Sequence, residues 1–435
     1  MKPSPKTQES TFNIRTSVGK VRFSPTLEIN ERVRSAREQG KELLQMGFGQ
    51  SLFPVHPLIQ EALAVNAGQN MYLPSAGLPE LRELSLHYFS EKFGFDANEF
   101  KTIVGPGSKV LIYDIQLAVE GALLLPVPSW VSYAPQAVLI DDPIIKIPTT
   151  MEDNYHITAE SLEKALVVAR QKGMNPKKLI INNPNNPSGL TMPQSRLEQI
   201  AQVCRKQGIL VISDEIYGLV NYQQNHTSIA KFYPEGTIVT SGLSKHLSLG
   251  GYRLGIAFVP KVLNSIYDAM IGIASGTWST VSSPIQHASL KAFESEQIIE
   301  EYIKTCTEIH SMISSYVREV LISLGIKYPV LEGAFYLFPN FGAFRDQLFE
   351  KEVKTSEQLA MHLLDKIQVA TLPGTAFGDA PENLTLRLAS CDFEGQIALN
   401  YYIEHPGCTP ESLVNACCPK IKLACQRLGE YFSNL

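Results

Sequence analysis

The sequence predicts an α/β fold whose large domain is a three-layer, mostly parallel sheet, joined to a smaller α+β domain. Short apolar runs such as Leu179–Asn182 and Leu210–Ser213 lack the alternation of a half-exposed strand, and such runs are typical of strands that are buried on both faces. Helical patterns separate these runs, which is typical of a parallel sheet. A chain of 435 residues is also long enough for more than one hydrophobic core.

The elements of the large domain follow in order along the chain. Pro79–Phe93 is predicted as a helix because Leu81, Leu84 and Tyr88 recur on one side. The other predicted helices are Ser108–Glu120 and Pro193–Gln207, and the predicted strands are Ala122–Pro126, Leu179–Asn182, Leu210–Ser213, Thr237–Thr240 and Gly255–Val259.

The pattern changes from about Ile309, and this change predicts the smaller domain. Its expected elements are a helix to Leu324, a strand pair in Tyr328–Phe338, a helix over Ser356–Ile367, a strand at Leu384–Leu388 and a C-terminal helix. We therefore expect residues 1–65 to form an N-terminal arm and part of the small domain, 66–307 the large domain and 308–435 the C-terminal small domain. The first twenty or so residues are polar and contain prolines, so we expect a flexible or partner-clasping arm.

Composition excludes several classes of function. The net charge of −5 gives no basic footprint, so nucleic acid is not an expected partner. The sequence contains no apolar stretch long enough to cross a membrane and no apolar signal core at its N-terminus, so a cytoplasmic protein is expected. The seven cysteines form no C-x-x-C pair, which favours reduced thiols over a metal site.

Three polar clusters each follow a short apolar run. They are Asn182–Gly189, Ser213–Tyr217 and Ser241–Gly255. Ligands of parallel α/β sheets bind beyond the carboxyl ends of the strands, so these clusters are expected to meet. Together they offer an amine, an acid, amide and phenol donors and a cation. That set is what pyridoxal 5′-phosphate (PLP) requires: a partner for its aldehyde, its ring nitrogen, its ring oxygen and its phosphate.

Individual residues can be given roles on this hypothesis. Lys245 is the candidate amine, and it needs a lowered pKa to act as a nucleophile. Asp214 follows a buried strand, where a carboxylate needs a partner such as a protonated ring nitrogen. Tyr217 and Asn186 are candidates for the ring oxygen. Taken singly, these residues also fit a solvated lysine, a helix-capping aspartate and a tight Asn-Pro turn.

Phosphate and substrate are assigned to further residues. Arg253 is a candidate for the phosphate because its guanidinium is a planar fork, and the start of the helix after Gly107, Ser108 and Lys109 offers free N–H groups to the same anion. This segment is not a Walker loop, because no Gly-Lys-Ser/Thr follows at the required spacing. Trp130 could stack on a cofactor ring, and a role in the core fits it equally well.

Arg387 lies within the apolar strand Leu-Thr-Leu-Arg-Leu-Ala. A buried cation is costly unless it is paired, and a substrate carboxylate gripped through two hydrogen bonds would satisfy it. A structural ion pair is the alternative. The sequence therefore favours Arg387 as the residue that binds the substrate carboxylate.

From about Leu43 to Phe393 the chain resembles the aspartate aminotransferase family, the class I/II aminotransferases of PLP fold type I. The motifs that carry the resemblance occur in the order of the family. They are Asn-Pro-Asn-Asn186-Pro-Ser-Gly, Asp214-Glu-Ile-Tyr217, Ser244-Lys245 followed by Gly251-Tyr-Arg253-Leu-Gly, and Leu-Arg387-Leu after the loop Pro373–Gly378.

The resemblance implies an enzyme that moves the amino group of an L-amino acid to a 2-oxo acid, with 2-oxoglutarate as the expected acceptor. Lys245 would hold PLP as a Schiff base and carry the proton between substrate and cofactor, and Ser244 would contact the cofactor. Tyr72 resembles the tyrosine that reaches the phosphate of a neighbouring subunit, which implies a homodimer with shared active sites. Gly49 resembles the glycine whose backbone contacts the substrate carboxylate.

Some residues depart from the family pattern. Gly242 stands where many members have serine or threonine, which puts one phosphate contact in doubt. No arginine occurs in Ser275–Ser282, where some aspartate-specific members bind a side-chain carboxylate, and Trp278 there favours aromatic or neutral substrates.

Two other functions and one segment remain open at this stage. A PLP-dependent lyase or a cyclising synthase is the alternative, although synthases usually carry tyrosine where Trp130 stands. A non-enzymatic PLP-binding regulator is a third hypothesis. The C-terminal extension Tyr401–Leu435 receives no functional explanation from the sequence.

Overall fold

Residues 13–435 are described by a computed structural model, so the first part of the predicted N-terminal arm lies outside the described residues. The strands are β1 Leu44–Gln45, β2 Phe100–Gly105, β3 Ala122–Val127, β4 Ile144–Pro148, β5 Pro176–Asn182, β6 Leu210–Asp214, β7 Thr237–Gly242, β8 Gly255–Pro260, β9 Tyr336–Leu337, β10 Val369–Ala370, β11 Leu372–Pro373 and β12 Leu386–Ala389.

The helices lie between these strands in the alternation that the sequence predicts. They are α1 Thr16–Lys20, α2 Pro25–Glu38, α3 Pro57–Asn66, α4 Pro79–Phe93, α5 Ser108–Ala118, α6 Tyr133–Leu139, α7 Ala159–Gln171, α8 Gln194–Gln207, α9 Asn264–Thr277, α10 Ser283–Glu294, α11 Glu296–Ser323, α12 Arg345–Glu350, α13 Ser356–Ile367, α14 Gly395–Glu404, α15 Pro410–Cys417 and α16 Pro419–Ser433.

A seven-stranded mixed sheet organises the large domain, in the order β2-β8-β7-β6-β5-β3-β4. Strands β3 to β7 pair in parallel, whereas β8 is antiparallel to both β2 and β7. The predicted fold class is confirmed. Sequence reasoning missed β2 and β4, which are the two outer strands. In β4, Ile145 and Ile147 are buried while Lys146 is exposed, so its pattern is that of a half-exposed edge rather than a buried run.

Both faces of the sheet are covered, because successive side chains of a strand point to opposite sides. Leu179 and Ile181 of β5 pack with residues of α7 and α8. Ile180, between them, packs on the other face with residues of α5 and α9. Because both faces are covered, the central strands are continuous apolar runs. Because β3 to β7 are parallel, their carboxyl ends lie at the same edge of the sheet.

A separate core joins the N-terminal segment to the C-terminal part of the chain. Leu44, Met46 and Phe53 share a hydrophobic cluster with buried residues of α11, α13, α15 and α16. Strand β1 pairs in parallel with β10, and β11, β12 and β9 form a small antiparallel sheet. The strand pair predicted for Tyr328–Phe338 is reduced to Tyr336–Leu337, where β9 lies against β12.

Helix α11 is continuous from Glu296 to Ser323, so the predicted helix from Ile309 begins earlier than expected. Its first part contributes Ile299 and Ile303 to a cluster of the large domain, and its later turns contribute Ile309 and Ile313 to the C-terminal cluster. The boundaries at 65/66 and 307/308 remain predictions, and α11 crosses the second of them.

The C-terminal extension packs into the C-terminal hydrophobic core. The seven cysteines are free thiols, and Cys417, Cys418 and Cys425 are buried in the C-terminal cluster. Phe432 of α16 stacks on Phe341, with ring centroids 4.8 Å apart. Helix α16 thus closes this core. Within residues 13–435, no helix combines the length and the apolar character needed to cross a membrane.

Replacing Phe432 by alanine should therefore destabilise the C-terminal core. The ring is buried and also lies 4.8 Å from Phe344, so its removal leaves a cavity, and we expect the free energy of unfolding to fall by about 3 kcal/mol. Chemical denaturation measures this. The control is Ile403→Ala, at a side chain that is 62% exposed. Equal losses of unfolding free energy in the two variants would contradict the role of Phe432 in the C-terminal core.

Candidate active site

The polar clusters meet at the carboxyl ends of the central strands, as predicted. Asp214 is the last residue of β6, and Lys245 lies three residues after the end of β7. They line a cavity of about 450 Å³. The sequence-predicted residues that line it are Gly49, Ser108, Lys109, Trp130, Asn186, Asp214, Tyr217, Ser244, Lys245, Arg253 and Arg387.

Two predicted residues do not line this cavity. Gly107 lies just behind it with φ +100°, and a Cβ there would overlap the guanidinium of Arg253. A glycine is therefore required for Arg253 to approach the start of α5. Tyr72 is 92% exposed and lies outside the cavity. Among residues 13–435 of this chain, Tyr72 forms no hydrogen bond with a predicted site residue.

Asp214 is buried and hydrogen-bonded. The hydroxyl of Tyr133 donates to its Oδ2 at 2.6 Å, and the backbone N–H of Ile216 donates to its Oδ1 at 3.3 Å. Burial raises the pKa of Asp214 to about 6, while the Tyr133 hydrogen bond lowers it. Above this pH the carboxylate is mainly ionised, and none of the ion pairs among residues 13–435 includes it.

Burial also shifts the pKa of Lys245, but downward, whereas it raises the pKa of Asp214. Desolvation lowers the pKa of its ammonium to about 8, and the positive charges of Arg387 and Arg253 act in the same direction. Its Nζ lies 5.4 Å from the ring centroid of Tyr217 and 5.6 Å from that of Phe335. A lysine with such a pKa has a useful neutral fraction near pH 7, which a nucleophile requires.

Arg387 is buried without an anionic partner. The residue is only 1% exposed. Its Nη1 donates to Oδ1 of Asn186 at 3.1 Å and its Nη2 to the carbonyl oxygen of Gly47 at 2.7 Å. The Nε has no partner among residues 13–435, and no carboxylate of those residues forms an ion pair with the guanidinium. Burial lowers the pKa of Arg387, as expected for a cation that lacks a counter-charge.

Aromatic rings shape the wall beside Arg387. Its guanidinium lies 4.5 Å from the ring centroid of Tyr336, and the Tyr336 hydroxyl shares a 2.9 Å hydrogen bond with that of Tyr217. Tyr336 also donates to the carbonyl oxygen of Gly49 at 3.3 Å. Tyr217 and Gly49, predicted for cofactor and substrate respectively, are thus connected through a tyrosine that the sequence reasoning did not assign.

Two more cations, Arg253 and Lys109, line the cavity. Arg253 has a left-handed φ of +55°, and its guanidinium donates to the carbonyl oxygens of Gly250 at 2.9 Å and Pro106 at 3.3 Å. Lys109 lies with its Nζ 5.1 Å from the Trp130 ring centroid, and burial and the Arg253 charge lower its pKa. These groups form an electropositive wall at the N-terminus of α5, which suits an anion.

Sequence reasoning missed Tyr133, Tyr336 and Asn182, which line the cavity. Tyr133 lies three residues after Trp130, and its partner Asp214 is 81 positions away. Asn182 accepts from the backbone N–H of Asn186 at 2.7 Å and donates to the backbone oxygen of Asp214 at 2.9 Å, so it fixes two of the clusters to each other. For Asn182 and Tyr336, the one signal in the sequence is a polar side chain at one end of an apolar strand.

Two departures from the family pattern have local explanations. A Cβ at Gly242 would lie 2.7 Å from the carbonyl oxygen of Leu254, so the backbone leaves little space for serine or threonine. Trp278 does not line the cavity. Its indole N–H donates to Oδ2 of Asp114 at 3.1 Å, and its predicted influence on substrate choice stays a prediction.

Comparisons with known proteins agree with this geometry. The sequence model of the family "Aminotransferase class I and II" matches residues 41–394. The aspartate aminotransferase of Geobacillus stearothermophilus is 32% identical over 377 residues, which cover 84% of this chain and 92% of that protein. The asparagine–oxo-acid transaminase of Streptococcus mutans is 30% identical over 377 residues, with the same coverage of 84% and 92%.

Solved structures show the same fold. The aspartate aminotransferase from Thermus thermophilus with maleate has a TM-score of 0.81 at 24% identity, covering 96% of this chain and 99% of that one. The aromatic aminotransferase from Pyrococcus horikoshii OT3 has a TM-score of 0.76 at 26% identity, covering 92% and 98%.

The hydrogen bond from Tyr133 to Asp214 predicts a pH-dependent stability. Its removal in Tyr133→Phe should raise the pKa of Asp214 further above the ordinary aspartate value of 3.8. A carboxyl whose pKa is raised in the folded state opposes folding once the pH exceeds its unfolded pKa, and the full cost is reached above its folded pKa. We expect the variant to lose about 1–3 kcal/mol at about pH 8 and less at about pH 5, where folded Asp214 is mostly protonated in both proteins.

Urea denaturation of the PLP-free protein at both pH values measures this difference. The matched control is Tyr113→Phe, because the Tyr113 hydroxyl forms no hydrogen bond within residues 13–435. A loss of equal size at the two pH values would show that ionised Asp214 is not the group that Tyr133 stabilises.

Proposed function

This chain belongs to the class I and II aminotransferases, a family of PLP-dependent enzymes, and from that premise we propose that it moves the amino group of an L-amino acid to 2-oxoglutarate by a ping-pong cycle. The observation that carries the proposal is the unpaired, buried Arg387 in the same cavity as Lys245. A cation in this state favours a ligand that brings a carboxylate, and Lys245, the candidate nucleophile, lines the same cavity.

The residues present fit PLP. The buried carboxylate of Asp214 suits a protonated ring nitrogen, and the close approach of the Arg253 guanidinium to the start of α5, which Gly107 permits, suits a phosphate. When bound, PLP supplies an aldehyde and a ring that withdraws electrons from the substrate's α-carbon. We assign the ring nitrogen to Asp214. The remaining cofactor contacts are assigned to Trp130 for the ring face, Tyr217 and Asn186 for the ring oxygen, and Ser108, Lys109, Ser244, Arg253 and the N–H groups after Gly107 for the phosphate side.

Lys245 is proposed to hold the cofactor and to move protons at its Nζ. With a pKa of about 8, about one molecule in ten has a neutral amine at pH 7, compared with fewer than about one in a thousand for an unperturbed lysine. Lys245 can therefore accept a proton at neutral pH and return it at the cavity that it lines.

Arg387 and Gly49 are proposed to orient the substrate by its α-carboxylate. The guanidinium is held on two sides by Asn186 and the backbone of Gly47, so its remaining N–H groups have a fixed direction. The side chain of the donor is not specified by these contacts, and the relatives are named for aspartate, asparagine, prephenate and aromatic substrates. The acceptor 2-oxoglutarate is proposed from the resemblance.

A homodimer with shared sites is proposed for the assembly. Met71 and Tyr72 are 73% and 92% exposed, and large apolar side chains at such exposure favour an interface. Tyr72 is then available to the phosphate site of a second copy. The free thiols support our further proposal of a reducing, cytoplasmic location.

A spectroscopic assay tests the function. PLP-loaded protein should absorb as a lysine-bound vitamer, an amino acid alone should convert this absorption to that of the pyridoxamine form, and 2-oxoglutarate should restore it. A screen of donors with 2-oxoglutarate and pyruvate identifies the substrates. Release of ammonia and a 2-oxo acid without an acceptor would instead support the lyase alternative.

Lys245→Ala should bind PLP and lose turnover by at least about 10³-fold, because both the nucleophile and the proton carrier are removed. Borohydride reduction followed by peptide mass spectrometry should label Lys245 in the parent protein and nothing in the variant. Lys261→Ala, at an exposed lysine, is the control and should behave like the parent. A variant at position 245 with parental activity would exclude the assignment.

Arg387→Ala should weaken amino-acid binding by about 2–5 kcal/mol, because one partner of a buried charge pair is lost. The dissociation constant in the amino-donor half-reaction measures the effect. An amine without a carboxylate serves as the control ligand, since its affinity should not change. If the variant lost only thermal stability, Arg387 would be a structural residue.

A further inference from the structure

A buried histidine outside the cavity connects two segments that line it. His310 of α11 is 2% exposed, and its Nε2 lies 3.2 Å from Oγ of Ser51. Ser51 Oγ in turn lies 2.6 Å from Oγ of Ser248. Both contacts are within hydrogen-bond distance, so three side chains from three different parts of the sequence form one chain of hydrogen bonds.

Each end of this chain is next to a proposed functional group. Ser51 follows Gly49 by two residues, and Ser248 follows Lys245 by three. Ser248 also has a left-handed φ of +58°, a conformation that costs about 1 kcal/mol or more for a residue other than glycine. Such a backbone persists where its surroundings hold it, and the hydrogen bond to Ser51 is one such restraint.

Packing alone does not explain an imidazole at position 310. Three phenylalanine rings surround it: those of Phe53, Phe335 and Phe393, with centroids 5.0, 4.8 and 6.1 Å away. An apolar ring would fit such surroundings, whereas burial of a polar ring costs free energy. Its Nδ1 has no partner among residues 13–435. The bond to Ser51 is therefore the main compensation for placing a histidine there.

The imidazole is neutral, so it acts through a hydrogen bond and not through charge. Burial lowers the pKa of His310 to about 3, and the positive charge of Lys245 acts in the same direction. The ring of Phe335 is the neighbour of both groups, since it lies 5.6 Å from the Lys245 Nζ. None of His310, Ser51 and Ser248 lines the cavity itself.

We propose that the chain Ser248–Ser51–His310 is a positioning device that keeps the segment carrying Lys245 in register with the segment carrying Gly49. This inference rests on the proposed function, in which Lys245 and Gly49 act on the same bound substrate. Helix α11 supplies the fixed end, and the two serines transmit its position to the amine and to the carboxylate-binding backbone. A displacement of about 1 Å between such groups can cost about 100-fold in rate, so a modest loosening is enough to be measured.

A double-mutant cycle tests the coupling. Ser51→Ala and Ser248→Ala each break the same chain, so each should lower kcat/KM about tenfold, and the double variant should also lose about tenfold rather than a hundredfold. Ser289→Ala is the matched control, since Ser289 is a buried serine of α10 bonded to the carbonyl oxygen of Ile285. Losses that multiply, or no loss, would overturn the proposal.

A second readout needs neither PLP nor activity. Hydrogen–deuterium exchange of the PLP-free protein should show faster exchange in residues 243–252 for Ser51→Ala, and in residues 46–53 for Ser248→Ala, by severalfold in each case. A serine with a purely local role would affect only its own segment, and that result would overturn the proposal. Because this measurement does not use catalysis, it decides the coupling even if the parent protein shows no transamination and the proposed function fails.

The histidine is tested by a pair of variants. His310→Phe should keep the thermal unfolding temperature of the parent, because the site is lined by aromatic rings, and should still lose about tenfold in kcat/KM. His310→Asn keeps a group that can bond Ser51 and should recover part of that loss. Parental kcat/KM in His310→Phe would overturn the role of His310. If that variant does not fold, the serine cycle and the exchange measurement give the decision.

Discussion

The burial of Arg387 without a carboxylate partner is the constraint on which the rest of the site depends. A guanidinium inside a strand of the smaller domain costs free energy unless an anion completes its surroundings, and the residues 13–435 provide only Asn186, a carbonyl oxygen and two aromatic rings. A ligand carboxylate bound in the cavity would complete the surroundings of the guanidinium, as the proposed function requires. On the proposed function, the preference of the site for carboxylates follows from the missing counter-charge of Arg387 among residues 13–435.

The same desolvation acts on Asp214 and Lys245 with opposite chemical results. It raises the pKa of Asp214 and lowers that of Lys245, because in each case the neutral form is favoured. The pKa of Asp214, about 6, therefore lies just below neutral pH, and the pKa of Lys245, about 8, lies just above it. A carboxylate and an amine that are both close to their transition in the same cavity are suited to hold and move protons, which is the work of acid and base catalysis at pH 7.

Much of this site was predictable because strand ends and polar clusters coincide in the sequence. Asp214 and Arg387 were identified from polar residues at the end of, or inside, apolar runs, and Lys245 from its cluster. Tyr133 and Tyr336 were not, since their partners are distant in sequence and only the folded chain brings each hydroxyl to its acceptor. In the fold, the outer strand β4 was missed because its half-exposed pattern lacks the continuous apolar run of the sheet centre. The outer strand β2 was missed because Lys101 and Thr102 interrupt its apolar run, although most of its residues are buried.

Helix α11 has a mechanical consequence. Its 28 residues make a rod of about 42 Å, with one end packed in the core around the large sheet and the other in the C-terminal core. An unbroken rod anchored in two cores converts a small rotation at one end into a displacement at the other, and about 5° over this length amounts to about 4 Å. Any relative motion of the two cores must therefore either turn this helix as a whole or bend it, and its stiffness limits how far the two cores can move apart.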